Sequence, residues 1–480
     1  MKELYKCKGF ELASLLKKKE VSSKEILQSF INRIEKKEKF LSSYITLDLE
    51  NALKKAEELD IKRIKGEDLS FLAGIPVAVK DNISTKGLLT TCGSKMLCNY
   101  IPVYDAFAVK CLKESEMIIL GKTNMDEFAM GSTGENSYFG VTKNPRDIKK
   151  VAGGSSSGSA AAILSGEAPF SLGTDTGGSI RLPASYCGIV GLKPTYGAVS
   201  RNGLIPFASG YDVIGPMGRC VKDVSLLSQI IYKYDNKDMT CKNFNFDFSN
   251  LENYSLKGKK IAVIKELFNS NIISSDVLEK VNKALKIIEN MGGIIEEISL
   301  PEIKDALWVY YIISSAQASS NLSKYDGIRF GFHPDEDSDI EKIRTNAFGT
   351  EVKRRIILGT YILSSSQYEK YYQRAVNMQN QLIEKLDKIF DKFDFIITPT
   401  SPRTAHEISE KVNNKNIYDE DICTVFASVT GIPSISLPCG VDSSDMPVGI
   451  EISSKKFSDH ILLKMANALE KEIGFDNDIV

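Results

Sequence analysis

Apolar and polar positions along the 480-residue chain alternate between a helical and a strand period. Ile26, Leu27, Phe30, Ile31 and Ile34 recur at helical spacing, which predicts a helix with one apolar face. Ser22 and Glu25, just before them, have the spacing of a capping box. A second helix is predicted over residues 51–59, and these N-terminal helices are expected to pack around the core without chemistry of their own. The run 75–79 is short, apolar and β-branched, so it reads as a buried strand that Pro76 begins and Lys80 ends. Residues 106–114 then read as helix, 117–120 as strand, 159–164 as a helix of small residues and 169–172 as strand.

Residues 235–257 are polar, rich in Asn and without period, which predicts a surface excursion. Beyond them, a strand at 260–264, an amphipathic helix at 277–291 stopped by Gly292 and Gly293, and a strand at 294–298 form a βαβ signal. Long helical stretches follow at 304–322 and 351–393, with short strands at 395–398 and 434–437 and a closing helix at 458–469. No internal repeat is visible. This alternation implies an α/β fold.

Composition narrows the function classes. At 42% hydrophobic and 26% charged residues the chain reads as an ordinary globular protein, and a net charge of −1 gives no basic field for nucleic acid. The N-terminal lysines (Lys17, Lys18, Lys19, Lys36, Lys37, Lys39) read as a solvated helix surface. Nine scattered cysteines without CxxC spacing argue against a zinc site or a disulfide framework and fit reduced thiols in a cytosol. With three histidines, none before His333, no metal centre is expected. The first ten residues lack an apolar signal region and no run of 18 apolar residues occurs, so neither a signal peptide nor a membrane span is expected.

The chemistry concentrates in residues 151–181, VAGGSSSGSAAAILSGEAPFSLGTDTGGSIR. Two glycine-serine loops flank a small-residue helix and a short strand, with Ser155 after the first glycine pair and Ser179 after the second. Glycines before a serine let successive backbone N–H groups turn toward one point, the layout of an oxyanion pocket beside a hydroxyl nucleophile. Ser179 is the expected nucleophile toward a carboxamide. A serine needs a base, and Lys80 can serve if burial lowers its pKa, with Ser155 relaying the proton. The polar residues Asn124, Asp126 and Glu127 are read either as plain loop residues or as the lining of a cavity. Gly154 to Gly158 also fits the GxSxG nucleophile elbow, but that motif requires a buried strand directly before it, and the charged stretch NPRDIKKVAG stands there instead. A P-loop is excluded, because no lysine follows the glycines at the required place.

Together, LAGIPVAVKD, GGSSSGSAAA and GTDTGGSIRLPAS resemble the amidase signature family. The resemblance implies a Ser-cisSer-Lys triad of Ser179, Ser155 and Lys80, with oxyanion donors at Thr176, Gly177, Gly178 and Ser179. It implies one α/β/α domain over 1–480 around a mixed, mostly parallel twisted sheet. Within it, 1–66 is an N-terminal helical region, 67–235 the core with the triad, and 258–480 the rest of the sheet with the substrate-recognition helices. GKTNMDEFAMGSTGENSYFG, SSNLSKYDGIRFG and EVKRRIILGTYILS resemble more narrowly the A subunits of bacterial tRNA-dependent amidotransferases, a branch of that family. That likeness implies glutamine hydrolysis in the cytoplasm, with ammonia passed to a B subunit that binds misacylated tRNA and uses ATP and Mg²⁺. It also implies a small C subunit, and neither cofactor, metal nor membrane for this chain. Glutamine recognition would fall on Tyr310, Arg355 and Asp421, with Tyr311 and Arg354 as exchangeable neighbours. Two positions depart from the usual pattern, Ser157 where glycine is common and Gln317 where glutamate is. A stand-alone amidase and a silent scaffold are the competing readings.

Overall fold

The computed structural model describes residues 3–268, 272–333, 339–409 and 419–480. Its strands are β1 (Tyr44–Leu47), β2 (Pro76–Lys80), β3 (Ile118–Thr123), β4 (Phe170–Asp175), β5 (Val190–Lys193), β6 (Val213–Gly218), β7 (Lys260–Ile264), β8 (Ile294–Ile298), β9 (Phe395–Pro399), β10 (Ser434–Val441) and β11 (Pro447–Ser454). They form one sheet in the order β1-β3-β2-β4-β6-β5-β10-β11-β9-β7-β8. The expected α/β fold with a mixed sheet is present. Its parallel pairings fall in two blocks, β3-β2-β4 and β9-β7-β8, while the six remaining neighbour pairs are antiparallel. Parallel pairing is thus less extensive than the alternation of helix and strand suggested. A parallel pair requires a crossover, whereas β10 and β11 join through a hairpin that sequence periodicity did not separate.

The N-terminal capping box forms as read. Ser22 Oγ accepts the Glu25 N–H, the Glu25 carboxylate accepts the Ser22 N–H, and Ile26, Leu27, Phe30 and Ile34 of helix Ser23–Leu41 are buried. The N-terminal region is not purely helical, because β1 pairs with β3 and extends the sheet edge. Residues 351–393 do not form one helix. Thr350–Leu363 ends at Ser364, which is extended, and Arg374–Phe390 follows a π-helical turn. Three consecutive serines stand at that break, and the Ser364 hydroxyl bonds back to the Tyr361 carbonyl at 2.7 Å, competing with helical continuation. The excursion after residue 235 lacks helix and strand, yet Phe244, Phe246 and Phe248 tie it down against Phe457, His460 and Tyr232. No helix among the described residues is long and apolar enough to cross a membrane.

Two central helices place the chemistry. Ser157–Leu164 is buried along its whole length, and Gly158 allows its closest approach, since a Cβ there would stand 2.1 Å from the Ser43 carbonyl oxygen. Arg181–Cys187 begins two residues after Ser179, with Ile180 as its N-cap, and its residues are buried throughout.

Candidate active site

β2 delivers Lys80 to the end of the sheet, where the side chain is fully buried. Its Nζ lies 2.8 Å from Ser155 Oγ, 2.8 Å from Ser156 Oγ and 2.9 Å from Thr174 Oγ1. Burial pushes the ammonium down to about 7, against the opposing pull of the Asp126, Asp175 and Asp212 carboxylates. An amine poised there is a base at neutral pH, which the same group in water is not. Ser156 and Thr174 extend the cradle beyond the residues the motifs single out. Ser156 Oγ also donates to the Thr174 carbonyl at 3.1 Å and accepts the Thr174 N–H at 3.3 Å, so the Thr174 backbone holds the Ser156 hydroxyl against the amine. In sequence they read only as further small polar residues.

The peptide bond between Gly154 and Ser155 is cis, and the Ser156 N–H donates to the Ser179 carbonyl at 3.1 Å, tying the two glycine-serine loops together. Ser179 is 7% exposed, the only one of Lys80, Ser155 and Ser179 that solvent reaches. Lys80 and Ser155 are in direct contact, while among the described residues no hydrogen bond joins either side chain to the Ser179 hydroxyl. No strand leads into Gly154, and the central serine of the elbow pattern, Ser156, is buried against Lys80 and Thr174, so that reading fails in three dimensions as well.

The second loop is built around Asp175, at the end of β4. Its carboxylate accepts the N–H of Gly178 at 2.9 Å and of Ile180 at 3.1 Å, and meets the Arg181 guanidinium through Nε at 3.1 Å and Nη2 at 3.0 Å. Burial alone would raise the Asp175 carboxyl, but Arg181 overrides it and holds the group below its ordinary value. One expected donor is corrected here. The Gly178 N–H is committed to Asp175 and does not point at a substrate. Among the described residues no protein acceptor takes the N–H of Thr176, Gly177 or Ser179. The Thr176 hydroxyl donates to Asp212 Oδ1 at 2.7 Å, which steadies the start of this loop.

The residues expected to recognise substrate converge on that loop. Tyr310 packs so closely over Gly177 that a Cβ there would lie 2.5 Å from its ring. Thr424 Oγ1 donates to the Gly177 carbonyl at 2.5 Å and joins the loop to Asp421, whose own carbonyl it also reaches at 3.1 Å. Asp421 accepts from Ser132 Oγ at 2.8 Å and from the Tyr311 hydroxyl. Burial raises its carboxyl to about 6, against the pull of these donors and of Arg355. Arg355 is 4% exposed, bonds Glu351 through Nε at 2.6 Å and lies 4.5 Å over the Tyr311 ring. Arg354 points outward and pairs with Glu351. The structure therefore favours Arg355 over Arg354 at the site, and it uses both tyrosines: Tyr310 against the loop, Tyr311 on Asp421. Helical spacing could not separate these neighbours, because only packing shows which faces inward.

The departures from the usual pattern are accommodated. Ser157 packs against Gly134, whose φ of +85 and missing Cβ leave it room, and its hydroxyl bonds Thr142 Oγ1 at 3.3 Å. Gln317 accepts the Gly210 N–H at 2.7 Å.

The class of protein is that of an amidase: the chain belongs to the amidase signature family, whose Amidase model matches residues 25–463. It is 46% identical over 479 residues to the A subunit of the glutamyl-tRNA(Gln) amidotransferase of Carboxydothermus hydrogenoformans, covering 98% of both chains. The crystal structure of the corresponding A subunit from Thermotoga maritima, also of a glutamyl-tRNA(Gln) amidotransferase, superposes with a TM-score of 0.82 at 37% identity, covering 98% of this chain and 95% of that one. The peptide amidase of Stenotrophomonas maltophilia superposes with a TM-score of 0.85 at 26% identity over 98% of each chain.

Proposed function

We propose that this chain is the glutamine-hydrolysing subunit of a tRNA-dependent amidotransferase. Glutamine binds above Ser179, its α-carboxylate toward Arg355 and its α-ammonium toward Asp421, the charge complement such a ligand needs. Neutral Lys80 takes the Ser155 proton as Ser155 takes that of Ser179, and the Ser179 oxygen bonds the carboxamide carbon. The oxyanion forms toward the N–H groups of Thr176, Gly177 and Ser179. The C–N bond then breaks as the relay returns its proton to the leaving ammonia. Water, deprotonated by the same relay, hydrolyses the acyl-serine to glutamate. Ammonia passes to a B subunit that binds misacylated Glu-tRNA(Gln) or Asp-tRNA(Asn) with ATP and Mg²⁺, a small C subunit completes the complex in the cytoplasm, and this chain needs no cofactor of its own.

The observation that carries the reading is the 2.8 Å contact between Lys80 Nζ and Ser155 Oγ, made by an amine that burial holds at about 7. The test is glutaminase activity of the chain alone and with co-purified partners, beside Ser179→Ala. Activity lost on substitution supports the proposal. Robust turnover of unrelated amides without partners identifies a stand-alone amidase instead. Full glutamine-dependent transfer by the Ser179→Ala complex identifies a scaffold.

A further inference from the structure

Glu127 is a buried carboxyl that the reaction does not use. It sits in the loop after β3, one residue beyond Asp126. Asp126 touches the first glycine-serine loop, with its N–H donating to the Ser155 carbonyl at 3.3 Å and its carboxylate accepting the N–H of Gly134 at 3.0 Å and of Asn136 at 2.9 Å. Glu127 faces the other way. Its Oε2 accepts the Gly349 N–H at 2.7 Å, and its Oε1 accepts from the Ser94 hydroxyl. Gly349 is the N-cap of helix Thr350–Leu363, the helix that carries Arg355. A Cβ at Gly349 would stand 2.4 Å from Glu127 Oε2, so a side chain there would push the carboxylate off this contact.

The next residue grips the same place. The Phe128 ring meets the Phe348 ring with centroids 5.8 Å apart, and Phe128 and Ala129 hold positive φ of 49 and 63. Both are conformations that non-glycine residues take only when their surroundings compel them. The loop is thus braced at one end on the Ser155 loop and at the other on the start of the Arg355 helix. A carboxylate at a helix N-terminus also meets the positive end of the helix dipole.

We propose that Glu127 is a positioning residue that sets the helix of Arg355 at the height at which its guanidinium meets the substrate's α-carboxylate. It touches no reacting atom. It acts through Gly349 and the first helical turn, and so tunes recognition and leaves bond breaking to the triad. The proposal deepens the reading of the site as a glutamine site and rests on it.

The test is Glu127→Ala in the full chain, assayed with glutamine and with butyramide, a primary amide without α-groups. The expected result is a KM for glutamine raised about tenfold with kcat within about twofold, and an unchanged rate on butyramide. Glu127→Gln, which keeps an acceptor for the Gly349 N–H, should recover most of the lost KM, and Gly349→Ala should mimic Glu127→Ala. An unchanged KM, or rates falling equally on both amides, overturns the proposal. Where Glu127→Ala does not accumulate as folded protein, Gly349→Ala, whose Cβ displaces Oε2 and leaves Glu127 and Ser94 in the chain, carries the same test. Wild-type protein inactive on glutamine refutes the glutamine reading and not this one. Hydrogen exchange at the first turn of helix Thr350–Leu363 then decides it, since exchange no faster in the variant overturns the clamp.

Discussion

Asp175 and Arg181 face each other in a two-pronged, fully buried ion pair, Nε to Oδ2 at 3.1 Å and Nη2 to Oδ1 at 3.0 Å, with Ser179 on the chain between them. The guanidinium also reaches Glu451 Oε1 at 2.6 Å and the Thr424 carbonyl at 2.8 Å. One arginine therefore ties the serine loop to β11 and to the segment that carries Asp421 and Thr424. Removing one partner of a buried pair leaves an uncompensated charge, at a cost of about 3–5 kcal/mol. Arg181→Ala should lower stability by that amount in urea denaturation, and a loss below about 1 kcal/mol would contradict the network.

Lys80 must be uncharged to accept a proton. Glutaminase kcat should therefore rise about tenfold per pH unit up to about pH 7 and level off above it. Lys80→Ala should lower kcat by roughly 10²- to 10⁴-fold across the range. A profile flat between pH 5.5 and 8 would remove Lys80 from the role of base.

The same shift has a consequence for stability. Folding lowers the lysine from its ordinary 10.5 to about 7, so the folded state disfavours the proton. The resulting cost is absent above about 10.5, grows as pH falls and is complete below about 7. Lys80→Met removes the charge at similar length. Its stability relative to wild type should be more favourable at pH 6 than at pH 9, measured by denaturant midpoints. The opposite order would show that the amine is buried charged.

Recognition should titrate separately from catalysis. Asp421 attracts an α-ammonium only when ionised, so KM for glutamine should climb as pH drops below about 6. Arg355→Ala should raise that KM by about 10- to 100-fold, the worth of roughly 1.5–3 kcal/mol in hydrogen bonds to a charged group. Arg354→Ala should leave it near wild type, because Arg354 points to solvent. Equal effects from the two would refute the assignment.

Gly134 has φ +85, and a Cβ on it would stand 2.6 Å from Ser157 Cβ. Gly134→Ala should therefore destabilise by about 1–3 kcal/mol, while Ser157→Gly leaves the loop folded and active. Calorimetry of the two variants gives the comparison.

Much of the site was legible in the sequence, because chemistry at a short loop depends on local residue types. Lys80 at the end of an apolar run and serines after glycine pairs stand out in the sequence as candidate positions, and the family motifs tie them together. The elements with a strong period, the capped helix Ser23–Leu41 and the unit from β7 to β8, were legible for the same reason: each buries one face, and that face recurs in the sequence. What tertiary structure alone decided is what depends on partners distant along the chain. The antiparallel centre of the sheet and β1 at its edge are pairings between segments far apart, which no local period encodes. Whether Arg354 or Arg355 faces inward is settled by the helix's rotation against Tyr311. The Gly178 N–H looks like an oxyanion donor in sequence and is claimed by Asp175 once the loop closes. Glu127 reads as an ordinary loop residue until folding brings Gly349, 222 positions later, against its carboxylate. Local sequence specifies which groups the chain can offer, and only packing fixes which partner each one meets.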